Sequence, residues 1–104
     1  MRLLALLSAL LLSSACPGST VMDASRYDQS CAQDADCAVV YEGDVCAPCG
    51  CPNAAINAGS LAAWNAEASR ARQWCGPVPA VACGPCPTRV ARCVSQACTT
   101  ALSP

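Results

Sequence analysis

Cysteine is the residue with the most chemistry to offer in this chain. Eleven occur in 104 positions: Cys16, then Cys31, Cys37, Cys46, Cys49, Cys51, Cys75, Cys83, Cys86, Cys93 and Cys98. Three chemistries fit their spacing. Paired as disulfides, the ten from Cys31 onward would staple a small fold. As Cys46-x-x-Cys49-x-Cys51 and Cys83-x-x-Cys86, some of them could instead offer four thiolates to a zinc ion. As a dithiol, Cys83-Gly84-Pro85-Cys86 could exchange disulfides, because two cysteines in this close spacing can lower the pKa of one thiol.

The first sixteen residues say which compartment these thiols meet. Met1-Arg2 is a short positive segment, Leu3 to Leu12 an apolar run of ten, and Ser13-Ser14-Ala15 a small-residue triplet ahead of Cys16. That is a secretory pattern, too short to span a bilayer. A small-residue triplet ending at a cysteine resembles the lipobox of bacterial lipoproteins, although Ser13 stands where that family prefers Leu. The resemblance implies cleavage before Cys16, a diacylglycerol on its thiol, and a fatty acid such as palmitate on the new amino terminus. More than one acyl chain is needed for durable anchoring, at about 0.8 kcal/mol per buried methylene. An ordinary signal peptide with Cys16 as a spare thiol is the alternative, but setting Cys16 aside leaves an even ten that can pair completely. Pro17 follows the cysteine where an Asp would imply inner-membrane retention, so the outer membrane is the expected address.

In an oxidising compartment, disulfides are the expected state of all ten. A zinc site would be built from cysteine alone, because the sequence has no His. Cys83-Gly84-Pro85-Cys86 resembles the thioredoxin active site, where the motif follows a strand and opens a helix whose dipole stabilises the thiolate. Here Pro87 follows at once, Ala82 stands where that family has Trp, and a proline-rich run precedes. Cys83 and Cys86 are therefore kept only as an alternative redox pair. Lack of His also excludes a Ser-His-Asp or Cys-His arrangement and a facile proton shuttle near neutral pH. Asp34, Asp36, Glu42 and Asp44 could gather around Ca²⁺, but their spacing fits no EF-hand loop, and a solvated acidic face is expected. No catalytic residue, metal or cofactor is expected.

Composition agrees with a stapled module. The 54% hydrophobic content is carried by leader leucines, alanine and cysteine; there is no Phe, and the aromatic residues are Tyr27, Tyr41, Trp64 and Trp74. So small a core needs cross-links. Beyond the leader, five Arg stand against seven acids, a net charge of −2, which leaves no basic footprint for nucleic acid and no polybasic membrane patch.

The elements that would position the cysteines can be read from pattern. Residues 1–15 are the signal peptide, 16–30 a lipidated tether whose only cysteine is the anchor, 31–98 the cysteine-rich domain, and 99–104 a short tail. Cys37 to Glu42 is β-branched and aromatic, a strand stopped by Gly43-Asp44. Residues 46–53 form a tight loop. A helix runs from Asn57 or Ser60, either of which could cap it, to Cys75, with Leu61, Trp64, Ala68, Ala71 and Cys75 along one narrow stripe. Glu67 and Arg70 are spaced for an ion pair on its outer side, Trp74 falls outside the stripe where it could make a surface contact, and Gly76-Pro77 ends the helix. Cys75, at the helix end, should bridge to a distant loop or strand. Gly76 to Pro87 is a proline-rich loop, and Arg89–Val94 with Ala97–Ala101 reads as a hairpin about Ser95-Gln96, whose centre lacks the usual Gly or Asn. The fold class is a small disulfide-rich α+β domain, one amphipathic helix packed on two or three short antiparallel strands.

The whole pattern, lipobox, tether and the run CAQDADCAVV, CAPCGCPNAAIN and CVSQAC, looks like small cysteine-rich lipoproteins of GC-rich Gram-negative bacteria. The resemblance implies an address and a scaffold and carries no activity with it. The expected function is a lipid-anchored binding or structural module of the cell envelope, attached to the membrane through its terminal lipid and without catalysis; one variant would present the loop from Gly76 to Pro87 to a protease. The other reading is a membrane-tethered thiol–disulfide oxidoreductase.

Overall fold

The computed structural model describes residues 19–104. The signal peptide, Cys16 and the start of the tether lie outside the described residues. Residues 19–104 form a small α+β domain with one α-helix, three two-stranded antiparallel pairs and five disulfides.

The strands are β1 (Val21–Met22), β2 (Cys37–Val40), β3 (Gly43–Asp44), β4 (Ala54–Asn57), β5 (Arg89–Val94) and β6 (Ala97–Leu102), and α1 spans Leu61–Arg72. They pair as β1 with β3, β2 with β4 and β5 with β6. Pattern predicts two or three strands; β1, β3 and β4 are additions. β4 carries little local signal, because Ala54-Ala55-Ile56-Asn57 is too short to show a period of two and lies at once behind the cross-linked loop.

The string Cys51-Pro-Asn-Ala-Ala-Ile-Asn57 has a mechanical logic. Asn53 clasps the backbone of Glu42 from both sides, its Oδ1 accepting from Glu42 N at 2.7 Å and its Nδ2 donating to Glu42 O at 2.9 Å. That clasp extends the β2–β4 ladder, whose register runs from Val40 opposite Ala54 to Cys37 opposite Asn57. Asn57 then caps the 3-10 turn Ala58–Ser60, accepting from Gly59 N at 2.8 Å, and so delivers the chain into α1. Ser60 makes no side-chain capping bond. Ala-rich Leu61–Arg72 has high helix propensity, and three tightened turns, ending with Cys75 N donating to Arg72 O, close it before Gly76-Pro77.

One stripe of α1 is buried as expected: Trp64, Ala68 and Ala71, with Leu61 and Cys75 half-buried. It meets Met22, Ala24, Val40 and Ile56, and Tyr27 stands edge-on to Trp64 with ring centroids 5.0 Å apart. Met22 and Ile56 are the largest fully buried side chains. Burying such a side chain is worth about 1.5–3 kcal/mol, and few are present.

Met22 and Tyr27 show that the tether does not extend to residue 30. Val21–Met22 is a strand, and Asp28–Cys31 lies between the main pairs: Asp28 O accepts from Asn57 N, Gln29 O from Cys98 N, and Cys31 N donates to Gln96 O. Gln29 Nε2 donates to Ala55 O, and Asn57 Nδ2 to Ser30 O. The segment resembles a tether in sequence because its two core residues, Met22 and Ala24, sit among polar neighbours with no period.

The β5–β6 hairpin forms about Ser95-Gln96, with φ of +50° and +63° at the two central residues. Both sit in the left-handed region, the geometry of a type I′ turn, which fits the twist of the strands but disfavours Ser and Gln. Replacing the pair by Asn-Gly (Ser95→Asn with Gln96→Gly) is expected to stabilise the domain by about 1 kcal/mol. Thermal unfolding with disulfides intact should show a midpoint several degrees higher; an unchanged or lower midpoint would contradict the strain.

Candidate functional site

Two loops, 46–51 and 75–87, are sewn together by three bridges: Cys46–Cys75, Cys49–Cys83 and Cys51–Cys86, with Cα atoms 5.4, 5.5 and 5.5 Å apart. Cys75 thus bridges to a distant loop, as its place at the helix end implied. Cys83 and Cys86, close neighbours in sequence, go to different partners. The bridge that a dithiol enzyme would close within Cys83-Gly84-Pro85-Cys86 is not formed, and residues 75–88 carry no regular structure, so no helix begins at Cys83. The cysteines grouped for zinc, Cys46, Cys49, Cys51, Cys83 and Cys86, all lie in these three bridges.

The loop they hold is exposed throughout Gly76 to Thr88. Val78 and Val81 are 49% and 50% accessible. Prolines at 77, 79, 85 and 87 restrict the chain and remove four donors. Tyr41 supports the other loop: its hydroxyl donates to Asp44 O at 3.1 Å, and its ring lies so close to Gly50 that a Cβ there would come within 2.5 Å of it.

The remaining two bridges, Cys31–Cys93 and Cys37–Cys98, tie the hairpin to the start of the domain. Cys93 and Cys98 are directly opposite in the β5–β6 ladder. Opposed residues share a face, so one face of the hairpin carries both staples. This brings the sulfurs of Cys31, Cys37 and Cys98 within 4.8 Å of one another, each of them in a bridge.

The acidic group has a structural use. Asp34 accepts from Cys93 N at 2.8 Å and pairs with Arg92 at 3.4 Å; Asp36 accepts from Ala32 N and Gln33 N; Glu42 accepts from Ala24 N; Asp44 accepts from Cys46 N. Two further carboxylates make the same device: Asp23 holds the N–H and hydroxyl of Ser25, and Asp28 those of Ser30. The repeated D-x-S is the sequence signal for it, since Asp bonds its own backbone two residues on. The expected Glu67–Arg70 pair does not form. Glu67 turns instead to Arg26, at 3.8 Å, and accepts the Tyr27 hydroxyl, because the segment that precedes Cys31 lies along that side of the helix.

Two depressions stand out on the surface of the described residues. One, about 340 Å³, is lined by Ser19, Arg26, Glu67, Arg70, Ala71 and Trp74, and Trp74 is 60% accessible, in keeping with its place outside the buried stripe. The other, about 220 Å³, opens over the core beside Val39, Tyr41, Pro52 and Leu61. Among the described residues, no helix is long and apolar enough to cross a membrane. Compared with protein-family models, curated proteins and solved structures, the chain shows no significant match to any of them.

Hydrogen bonds hold four of the carboxyls below the ordinary aspartate range: Asp23 through the Ser25 hydroxyl, Asp28 through the Ser30 hydroxyl, Asp34 through Cys93 N and Asp36 through Ala32 N. A depressed native pKa gives stability that is present above the unfolded value and lost as pH falls through the native one. The unfolding midpoint should therefore be flat near neutrality and decline once pH drops below about 4. Asp34→Asn, which keeps an acceptor for Cys93 N, should shallow that decline. An acid limb of the same slope in wild type and variant would contradict the assignment.

Proposed function

We propose that this chain is an exported lipoprotein, cut before Cys16 and acylated there, whose domain is a non-catalytic binding or structural module of the cell envelope, outer membrane by default. The observation that carries the reading is the pairing of all ten cysteines from Cys31 to Cys98 in five bridges. Cys16 is left as the odd thiol, and a lipobox is where an odd thiol has a use. Supporting it is the use of the acids: those of the Asp34–Asp44 group bind backbone amides or Arg92 and form no acid–base pair.

Within that module the binding element is the loop Gly76 to Pro87. Bridges at Cys75, Cys83 and Cys86 fix it, its residues are solvent-facing, and Val78 and Val81 offer apolar contacts to a protein partner. A pre-ordered loop loses little conformational entropy on binding. The loop offers a protease no charged specificity residue between Cys75 and Thr88, and protease inhibition is one form that binding could take.

Intact-mass measurement and thiol titration of the native protein test the reading together. Loss of residues 1–15, an added lipid mass at Cys16 and no reactive thiol are the expected results. More than one reactive thiol per folded molecule, or an uncut terminus, would overturn it. Insulin reduction tests the oxidoreductase reading: wild type and Cys83→Ser should both run at background, and turnover lost on Cys83→Ser would replace this proposal with a thiol–disulfide enzyme.

A further inference from the structure

The residue proposed to carry the lipid is close in sequence to a residue that lines the tryptophan-bearing depression. Ser19, the first described residue, lines that depression with Trp74, Arg26 and Arg70. Only Pro17 and Gly18 separate it from Cys16. Three residues of fully extended chain reach about 11 Å at most. The headgroup layer of one leaflet is roughly 5–8 Å thick, so a lipid on Cys16 would leave the domain only a few Å in which to stand away. The short reach is a consequence of residues 21–30 belonging to the fold.

From this juxtaposition we infer that the face formed by Ser19, Arg26, Arg70 and Trp74 rests on the phospholipid headgroups of the membrane that holds the anchor, an inference that depends on acylation of Cys16. The side chains suit the surface. Tryptophan prefers the level of the headgroups, where its ring is half immersed, and Trp74 is 60% exposed to anything placed there. Arg70 makes no salt bridge among the described residues, whereas Arg26 is partly neutralised by Glu67 at 3.8 Å. An arginine whose stem lies along the surface can hold its guanidinium against lipid phosphate. The face therefore binds as an auxiliary to the acyl chains and sets which way the domain points.

The test uses the native acylated protein in vesicles of phosphatidylethanolamine and phosphatidylglycerol, with and without a share of brominated lipid. Trp64 is 4% exposed and serves as the internal reference. Bromine should remove emission up to the share of one of the two tryptophans, with a blue shift in unbrominated vesicles, and Trp74→Phe should abolish both effects. Acylated protein whose emission is untouched by bromine, or quenching that persists in Trp74→Phe, would overturn the inference and leave the lipoprotein reading standing. Protection of Trp74 from aqueous iodide without bromine quenching would point to a protein cover and also overturn it. An unacylated terminus would overturn both.

Discussion

Sulfur bonds between segments far apart in sequence carry what the core of this domain cannot. Among the described residues nine buried ones make up the apolar interior, and four of them are alanine. At about 25 cal/mol per Å² of apolar surface removed from water, such an interior offsets only part of the entropy of ordering the chain. Bridges act on the other side of the balance, by narrowing the unfolded ensemble, and contribute on the order of 2–4 kcal/mol each. Their sequence separations, from 29 to 62 residues, close large loops, where that effect is greatest.

The bridges divide into two sets with different structural consequences. Cys31–Cys93 and Cys37–Cys98 fasten the β5–β6 hairpin to the extended segment at Asp28–Cys31 and to β2, joining the hairpin to the β2–β4 pair as one body. The other three lie away from the strands and hold two loops that have little regular structure of their own. One set builds the scaffold, and the other gives a shape to chain that would otherwise sample many. Aspartates, by capping turns at Asp23, Asp28, Asp36 and Asp44, supply the local counterpart to these long-range ties.

Much of this is legible in residue order. The hairpin, the helix stripe through Trp64, Ala68 and Ala71, and the oxidised state of the cysteines all come from local pattern or parity. Connectivity is not legible, because pairing depends on which loops the fold brings within about 5.5 Å, and no local signal encodes that distance. The boundary of the tether is hidden for a related reason. Met22 and Tyr27 contact Trp64 and its neighbours across a long stretch of sequence, and a lone apolar residue among polar ones looks the same whether or not something waits to receive it. Glu67 is a further case: its spacing from Arg70 favours a helical pair, and the arrival of Arg26 and Tyr27 offers better partners.

The order of the bridges bears on how the domain would survive hydrolytic enzymes. Cys31–Cys93 and Cys37–Cys98 overlap, so every peptide bond between Cys31 and Cys98 is spanned by at least one covalent cross-connection. A single cut in the exposed stretch between Cys75 and Cys83 leaves both new ends attached on either side, at Cys46 and Cys49. Scission there would loosen a loop without shedding a fragment, and wear at the most accessible part of the molecule would leave the rest in place.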